Sequence, residues 1–394
     1  MKKRRVKKIS VILLLLIIIG MTVVLSLFNT DNKQKTNNQN EGQNNVFEEK
    51  NDSNEEKVVE KVKETEKTMS IIMVGDALIH DSIYNDAFIG NNQYDFKKMF
   101  VDIEPLIKDY DLKYYNQETI IGGKELGLSN YPLFNSPDEI GSDLVSIGFN
   151  MVSLATNHSL DKGERGLNYS INFWNNQEGV VTAGSYASWE DRDNIKIHEM
   201  DGIKYAFLSY TVSTNGLRLP EGKEYLVNVY SDELAKKDIE SVRDKVDVVI
   251  VAMHWGNEYT HTPTYEQKRM AKYLSDLGVN LIIGCHPHVI QPIDYVGDTL
   301  VIYSLGNFIS SQRSLGLAKI IGLMVGVDIV VDQGKVTFEN LQSELLFTYD
   351  NRYKDFKIIP FSNLNDEILN NYKQIREEYM NIVNAEVYYD WDKK

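Results

Sequence analysis

The histidines of this chain are concentrated at one kind of position. Five of the seven follow short apolar runs, and these are His80, His158, His254, His286 and His288. The last two follow the apolar run 279–285, and Pro287 between them disfavours a helix. In an extended segment, side chains two residues apart share a face. Two imidazoles on one face form half of a transition-metal site, and the simpler alternative is a pair of polar loop histidines.

Carboxylate and amide residues end several of the same runs, and these are Asp76, Asn116 with Glu118, Asn157, and Asn307. The carboxyl ends of strands in an open α/β sheet form the edge where ligands bind, so we expect these side chains to meet. A mixture of Asp, Glu, Asn and His suits two zinc, manganese or iron ions. Two such ions about 3.5–4 Å apart can clamp the attacking and leaving oxygens of a phosphoryl displacement.

Several of these polar residues also have a simpler interpretation. Asp76 and Asp161 precede predicted helices, where an aspartate commonly caps the first turn. Glu118 could lie in a solvated acidic loop, and Asn307 could lie in a turn. If Asp161 is not a helix cap, it could hold a ligand histidine such as His158 in one tautomer, as carboxylates do around metal sites.

Further polar residues could surround the ligands. Asn116 shares a face with Glu118 and adds an amide oxygen. Glu258 could support a ligand or contact the substrate. His80 could be a ligand, contact the substrate or lie in an ordinary loop. The sequence has no glycine-rich phosphate loop and no Gly-x-Ser-x-Gly nucleophile motif, so a metal centre remains the main prediction.

The amino end differs in kind from the rest. Residues 1–8 contain six Lys and Arg ahead of the uncharged apolar run 9–28. Twenty apolar residues are about the length that crosses a bilayer as a helix, and the basic flank places the amino end in the cytoplasm. A cleaved secretory signal is the alternative, but no Ala-x-Ala-type site follows, so we favour an uncleaved anchor. Both interpretations place the remaining chain outside the cell membrane.

Composition narrows the classes of partner. Six of the 42 Lys and Arg lie in residues 1–8. The rest of the chain has 36 Lys and Arg and 57 Asp and Glu, which gives it a formal charge near −21. Such acidity argues against nucleic-acid binding, which needs a basic surface. The single cysteine, Cys285, excludes an intrachain disulfide and a cysteine-based zinc site, and it reads as a packed small residue. Residues 29–68 are too polar to form a core and are predicted to be a disordered linker.

Strands alternate with amphipathic segments from residue 69 to residue 307, which predicts an α/β fold with a largely parallel sheet. The predicted helices are 96–109, 138–148, 166–177, 231–245, 264–277 and 365–386. The later predicted strands are 180–184, 204–210, a hairpin of 323–331 and 335–338, and a further strand at 341–347. We therefore expect a folded domain at 69–362 and a C-terminal helix and tail at 363–394.

Six short blocks, taken in order, resemble the bacterial capsule-synthesis CapA family, and they are residues 75–76, 116–118, 156–161, 254–259, 284–288 and 304–308. That family includes PgsA-like poly-γ-glutamate biosynthesis proteins. It looks related to the calcineurin-like metallophosphoesterases, which have a four-layer α/β/β/α sandwich. The resemblance covers residues 69–312 and implies that fold for the domain.

The resemblance also implies roles for individual residues. By this resemblance the metal ligands would be Asp76, Glu118, Asn157, His254, His286 and His288. His158 would lie beside the scissile phosphate as general acid, with Asp161 as its catalytic partner. Two positions depart from the wider pattern. His80 stands where the family often has an arginine, and Leu78 stands where phosphoesterases have the histidine of an Asp-x-His pair.

Three hypotheses about function follow. The first is a membrane-anchored hydrolase of capsule or poly-γ-glutamate assembly or release, with two divalent metal ions. The second is a noncatalytic, polymer-binding component of a capsule export complex. The third is a secreted general metallophosphatase. The expected partners are an anionic cell-envelope polymer or a phosphoester, together with membrane-embedded biosynthesis or export subunits.

Overall fold

The computed structural model describes residues 66–387. The predicted cytoplasmic tail at 1–8, the anchor at 9–28 and nearly all of the linker at 29–68 lie outside the described residues. Within 66–387, no helix has the length and apolar character needed to cross a membrane.

The described strands belong to two large sheets and one small hairpin. In chain order they are β1 (Lys67–Ala77), β2 (Phe88–Gly90), β3 (Gln93–Tyr94), β4 (Leu112–Asn116), β5 (Met151–Ser153), β6 (Val181–Ala183), β7 (Ile197–Met200), β8 (Ile203–Thr211), β9 (Val248–His254), β10 (Leu281–Cys285), β11 (Ile293–Val296), β12 (Thr299–Ile302), β13 (Asn307–Ile309), β14 (Ile321–Asp332), β15 (Lys335–Tyr349) and β16 (Lys357–Pro360).

Both large sheets have parallel centres. The first has the order β16-β15-β14-β1-β4-β5-β6, with β13 also paired to β1. The pairs β1-β13, β1-β4, β4-β5 and β5-β6 are parallel. The pairs β1-β14, β14-β15 and β15-β16 are antiparallel. The second has the order β11-β12-β10-β9-β8-β7, with antiparallel pairs only at its two edges. The predicted α/β fold with parallel strands is therefore confirmed, and antiparallel strands are added to it.

Helices pack on the outer faces of the sheets, except for the last one, α8. In chain order they are α1 (Asp81–Ala87), α2 (Glu104–Ile107), α3 (Glu139–Ser146), α4 (Gly163–Asn175), α5 (Trp189–Asp193), α6 (Asp232–Val242), α7 (Tyr265–Asp276) and α8 (Tyr372–Val383). Helix α7 begins with a full capping box, in which the Thr264 hydroxyl and the Gln267 side chain each bond the other residue's backbone.

Alternating side chains on the strands divide the interior into layers. Along β9, Val248, Ile250 and Ala252 face the central core between the two sheets, and the intervening residues face the core under α6 and α7. A third core joins the first sheet to α1, α2, α3 and α4. Strands buried on both faces read as continuous apolar runs, which is why the sequence shows them so clearly.

The helix predicted over 96–109 is wrong in length. This segment forms a 3-10 turn at Lys97–Met99 and the single helical turn of α2. Pro105 lies in the first turn of α2, where it has no N–H to donate to a preceding turn, so one continuous helix cannot form. Phe96 and Phe100 are fully buried. The spacing of the apolar residues therefore reflects their burial and not a continuous helix.

The C-terminal part differs from the prediction in two further ways. Residues 341–347 belong to the same strand as 335–338, because a bulge near Asn340, whose φ is 53°, lets β15 continue along β14. Helix α8 is shorter than the predicted 365–386. It packs Tyr379 and Val383 into the central core between the sheets.

Two glycines allow backbones to approach closely at the carboxyl ends of β1 and β10. A Cβ atom at Gly75 would lie 1.8 Å from the carbonyl oxygen of Gly306. A Cβ atom at Gly284 would lie 2.0 Å from the carbonyl oxygen of Tyr303. Any larger residue would push these strands away from the segment 303–306. The glycines therefore set the spacing of the strand ends that bear the polar residues.

Candidate metal centre

The predicted residues come together because the carboxyl ends of strands from both sheets meet. In the first sheet Asp76 pairs in register with Asn116 on β4 and with Asn307 on β13. In the second sheet His254, the last residue of β9, pairs with Cys285, the last residue of β10. Cys285 is buried, as predicted for a packed small residue.

Glu118 is the carboxylate at the centre of the site. It is fully buried, and neither carboxylate oxygen has a hydrogen-bond partner among residues 66–387. Its Oε1 lies 3.6 Å from Nε2 of His288 and 3.8 Å from Nε2 of His254. A buried carboxylate without donors is costly unless a cation compensates it. The alternative of a solvated acidic loop is wrong, because no solvent reaches this side chain.

His286 and His288 lie in a bend that follows β10. Their φ angles are 95° and 57°, so the extended segment predicted around Pro287 is wrong. The bend nevertheless places the two ring centroids 5.8 Å apart. Positive φ is unfavourable for residues that have a Cβ, and such strain concentrates at functional sites. One donor atom from each of Glu118, His286 and His288 lies within 4.8 Å of the other two.

Asp76 is held by groups from neighbouring segments. Its Oδ1 accepts a hydrogen bond from Nδ2 of Asn116 at 2.7 Å. Its Oδ2 accepts one from the backbone N–H of His286 at 3.1 Å and lies 3.6 Å from Nδ1 of His288. The next helix, α1, has a different N-cap residue, so the capping alternative for Asp76 is wrong.

His254 makes contacts through both ring nitrogens. Its Nε2 lies 2.9 Å from Oδ1 of Asn157, and its Nδ1 lies 3.3 Å from Nδ2 of Asn116. An amide oxygen only accepts, so this arrangement assigns the proton to Nε2 and leaves Nδ1 as the acceptor. Nδ2 of Asn157 donates to Oδ1 of Asn215 at 3.3 Å, which holds the amide in this orientation.

Asn307 supports His288 from the side. Its Oδ1 accepts a hydrogen bond from Nδ1 of His288 at 3.0 Å. Its Nδ2 donates to Oε1 of Gln312 at 3.0 Å and to the carbonyl oxygen of Lys319 at 2.8 Å. Asn307 lies in β13, so its interpretation as a turn residue is wrong. The contact leaves Nε2 of His288 facing Glu118.

His158 and Asp161 form a pair beside the ligand cluster. Nδ1 of His158 lies 2.7 Å from Oδ2 of Asp161, which also accepts a hydrogen bond from the backbone N–H of Phe134 at 2.7 Å. Helix α4 has Lys162 as its N-cap residue, so the helix-cap alternative for Asp161 is wrong. The Phe134 ring packs edge-on against His158 with centroids 4.8 Å apart. These contacts leave only Nε2 of His158 for other partners.

A pocket of about 440 Å³ opens next to this cluster. His80, His158, Glu258 and His288 line it, and Glu258 is exposed there. Nδ1 of His80 accepts a hydrogen bond from the backbone N–H of Ser311 at 3.2 Å. The remaining lining residues are Leu78, Tyr131, Phe134, Tyr259, Ser311, Gln312, Ser314 and Leu315. The aromatic ones lie in irregular segments, where the sequence has no periodic pattern that would indicate a place in the site.

Burial and mutual charge shift the pKa values of the cluster in opposite directions. Burial raises the pKa of Glu118 well above its ordinary value, and the nearby His288 only partly opposes this. For His288 burial alone would lower the pKa, but the carboxylates of Glu118 and Asp76 raise it to about 9. Burial and the neighbouring histidines lower the pKa of His286 to about 4 and that of His254 well below its ordinary value.

This donor set fits a divalent transition metal. The two oxygens of Glu118 and Nδ1 of His286 are buried and have no hydrogen-bond partner among the described residues. His254 and His286 are neutral at pH 7, and neutral imidazole is the form that binds metal. Carboxylate and imidazole ligands together suit zinc, manganese or iron.

His286 and His288 should make opposite contributions to the pH dependence of the stability of the metal-free protein, one on each side of pH 6.5. His286 has a lowered pKa, so its contribution to stability is complete above pH 6.5 and is lost as the pH falls to about 4. His288 has a raised pKa, so its contribution is complete below pH 6.5 and is lost as the pH rises to about 9. We expect each limb to change the free energy of unfolding by on the order of 1–3 kcal/mol.

Urea unfolding of the chelator-treated protein between pH 4 and pH 9 measures this profile. His288→Gln should flatten the limb above pH 6.5 and leave the acid limb in place. A stability that keeps rising through pH 9 in the unsubstituted protein would contradict the assigned interactions of His288.

Comparison with known proteins gives this chain a family. Residues 70–312 match the family model described as bacterial capsule synthesis protein PGA_cap. The chain belongs to this family. The matched segment contains every residue of the metal centre, from Asp76 to Asn307, and it agrees with the family resemblance of the sequence blocks.

Two Bacillus proteins are similar to this PGA_cap chain. The PGA biosynthesis protein CapA of Bacillus subtilis (strain 168) is 31% identical over 178 residues, which cover 43% of this chain and 44% of that protein. The capsule biosynthesis protein CapA of Bacillus anthracis is 27% identical over 265 residues, which cover 64% of this chain and 62% of that protein. The alignments thus span less than two thirds of either relative.

Two solved structures are distantly similar to this PGA_cap chain. A phosphatase from Mycoplasma pneumoniae is 18% identical with a TM-score of 0.48, covering 73% of this chain and 97% of that chain. The calcineurin-like phosphoesterase YfkN from Bacillus subtilis is 14% identical with a TM-score of 0.45, covering 80% of this chain and 99% of that chain. These scores are low, so neither likeness indicates an activity for this chain.

Proposed function

We propose that this PGA_cap protein is a metal-dependent hydrolase of the cell envelope, of the calcineurin-like metallophosphoesterase kind, acting in capsule-polymer assembly or release. The observation that carries the proposal is the fully buried Glu118, whose two carboxylate oxygens have no hydrogen-bond donor in the part of the chain that the structure describes. Imidazole nitrogens of His254 and His288 lie 3.8 Å and 3.6 Å from it. Such a cluster is expensive in a folded protein unless it binds a cation.

The ligands of a metal pair would come from both sheets. We assign them, as predicted from the sequence, to Asp76, Glu118, Asn157, His254, His286 and His288. When bound, divalent transition metals supply positive charge that polarises a phosphoryl or carbonyl oxygen. Asn116 and Asn307 orient the ligands, because they bond to Asp76 and His288 respectively.

His158 has the position of a general acid. Its Nδ1 is occupied by Asp161, so Nε2 is the nitrogen that can give a proton to a leaving group in the pocket. Asp161 fixes the tautomer and stabilises the protonated imidazole, as a buried carboxylate does in hydrolytic triads. Phe134 packs against the ring of His158 and restricts its rotation.

The setting we propose is the outer face of the cell membrane. Residues 9–28 would span it once, with the amino end in the cytoplasm and the PGA_cap domain outside. The relatives carry the names PGA biosynthesis protein and capsule biosynthesis protein. Substrates would then be an anionic envelope polymer or a phosphoester attached to it, and the partners would be membrane-embedded synthesis or export subunits.

A complementation experiment distinguishes a catalytic function of this protein from a noncatalytic, structural role in an export complex. In a strain that lacks this protein and has lost its capsule, we expect the full chain to restore capsule. The double variant His158→Ala, His286→Ala should fail to do so at equal protein level, because it lacks both the proposed acid and a metal ligand. The readout is capsule polymer per cell together with immunodetection of the protein in membranes.

His198→Ala is the matched control, since His198 stacks on Tyr205 outside the site. It should restore capsule fully. Restoration of capsule by the double variant would show that the protein serves as a noncatalytic, polymer-binding component and would refute the hydrolase proposal.

A further inference from the structure

The pocket beside the metal centre is lined by three histidines and one carboxylate. Among the described residues that line it, none is Lys or Arg. Its carboxylate, Glu258, faces the same space as the catalytic candidate His158 and the ligand candidate His288. A positive charge at the edge of this pocket, in addition to the metal site, would favour an anionic group on a substrate.

Lys319 places such a charge at that edge. Its Nζ lies 4.8 Å from the centroid of the Tyr259 ring, which lines the pocket. The Tyr259 ring is itself 6.0 Å from the ring of His288. Within the described residues no carboxylate forms an ion pair with Lys319, whereas its neighbour Arg313 is paired with Asp350 at 2.8 Å.

The backbone around Lys319 is tied to the metal centre. Its carbonyl oxygen accepts hydrogen bonds from Nδ2 of Asn307 at 2.8 Å and from Oγ of Ser310 at 3.0 Å. On the other side, the backbone N–H of Tyr259 donates to the carbonyl oxygen of Pro287 at 2.7 Å. The backbones of Lys319 and Tyr259 therefore have fixed positions relative to that of Pro287 and the side chain of Asn307, and both side chains extend towards the surface.

We infer that Lys319, stacked on Tyr259, binds an anionic oxygen group that the substrate carries next to the bond to be cleaved. This inference rests on the proposed function, since it assigns a specificity element to that site. The ring holds the ammonium group over an apolar face and limits its hydration, which strengthens its pairing with an anion. The anion is a carboxylate of the polymer or a phosphate, and the two sources can be separated experimentally.

Binding assays with the full chain in detergent and added Mn²⁺ test this inference. The probes are a fluorescent pentapeptide of γ-linked glutamate and its analogue with carboxamides in place of the free α-carboxylates. Inorganic phosphate is the competitor. If the group is a carboxylate, Lys319→Met should raise the Kd of the carboxylate probe about tenfold and leave the carboxamide probe unchanged. If it is a phosphate, the same variant should weaken competition by phosphate about tenfold.

Two further variants make the result specific. Lys319→Arg keeps the positive charge and should bind within about threefold of the unsubstituted chain. Lys373→Met removes a similar lysine, 5.8 Å from the Tyr372 ring on α8 and outside the pocket lining, and should have no effect. Equal binding of both probes and of phosphate by the unsubstituted chain and Lys319→Met would overturn the inference. Binding is measured without turnover, so an inactive chain would refute the proposed hydrolase and not this subsite.

Discussion

Replacing Glu118 with Gln should abolish metal binding and turnover while leaving the metal-free protein at least as stable as before. The carboxylate is fully buried and has no hydrogen-bond donor within the described residues, so its charge is a cost in the metal-free fold. Residues that merely support metal ligands account for roughly 10–100-fold in affinity, so loss of this ligand should exceed about 100-fold. Metal content by mass spectrometry and hydrolysis of a phosphodiester measure the two losses.

The free energy of unfolding gives an independent measure of how the same substitution affects metal binding. At a metal concentration about 1,000 times its Kd, binding should stabilise the unsubstituted protein by about 4 kcal/mol. For Glu118→Gln, with a Kd raised by more than about 100-fold, that gain should fall below about 1.4 kcal/mol. Glu125→Gln is the matched control, because the Glu125 side chain is 89% exposed and forms a surface ion pair with Arg165 at 3.8 Å. An unchanged metal-dependent gain in Glu118→Gln would remove this residue from the ligand set.

The sequence could predict the convergence of the site because strand ends have regular positions. Asp76 and His254 directly end apolar runs, and parallel strands bring such ends to one edge of a sheet. Strand ends can be located without knowledge of side-chain contacts. His288 follows the same rule, although the chain makes a bend with positive φ there instead of the predicted extended segment.

Other parts of the site depend on contacts between distant segments that local patterns do not encode. Phe134 reaches Asp161 through its backbone N–H, and Lys319 reaches Tyr259 across 60 residues. Neither lies in a periodic segment. Asn307 looked like a turn residue because it follows a glycine, and only its pairing with Asp76 in the sheet makes it part of β13.

The fold shows the same division between local and long-range information. The pattern of 264–277 predicted α7 nearly to its ends, because its cap and its apolar face are both local. The segment 335–347 was divided into two strands because the polar residues around Asn340 interrupt the alternation. Pairing with β14 across the bulge keeps β15 continuous, and that information lies in the partner strand.

Replacing His158 with Ala should lower kcat by about 10²–10⁴-fold without changing the metal content. The ring lines the pocket but has its Nδ1 bound to Asp161, so its loss removes a proton donor and leaves the ligand cluster intact. Asp161→Asn should also lower kcat, by up to about 10⁴-fold, because it disturbs the tautomer and orientation of the ring. Steady-state kinetics and metal analysis of each variant measure these effects.

The leaving group distinguishes proton donation from a structural effect. A p-nitrophenyl ester releases a stable anion that needs little protonation, whereas an alkyl ester releases a poor one that needs a general acid. The loss in His158→Ala should therefore be much smaller for the aryl substrate than for the alkyl substrate. Equal losses on both substrates would mean that His158 shapes the pocket and gives no proton. The selectivity of the loss thus decides whether the pair of His158 and Asp161 is catalytic.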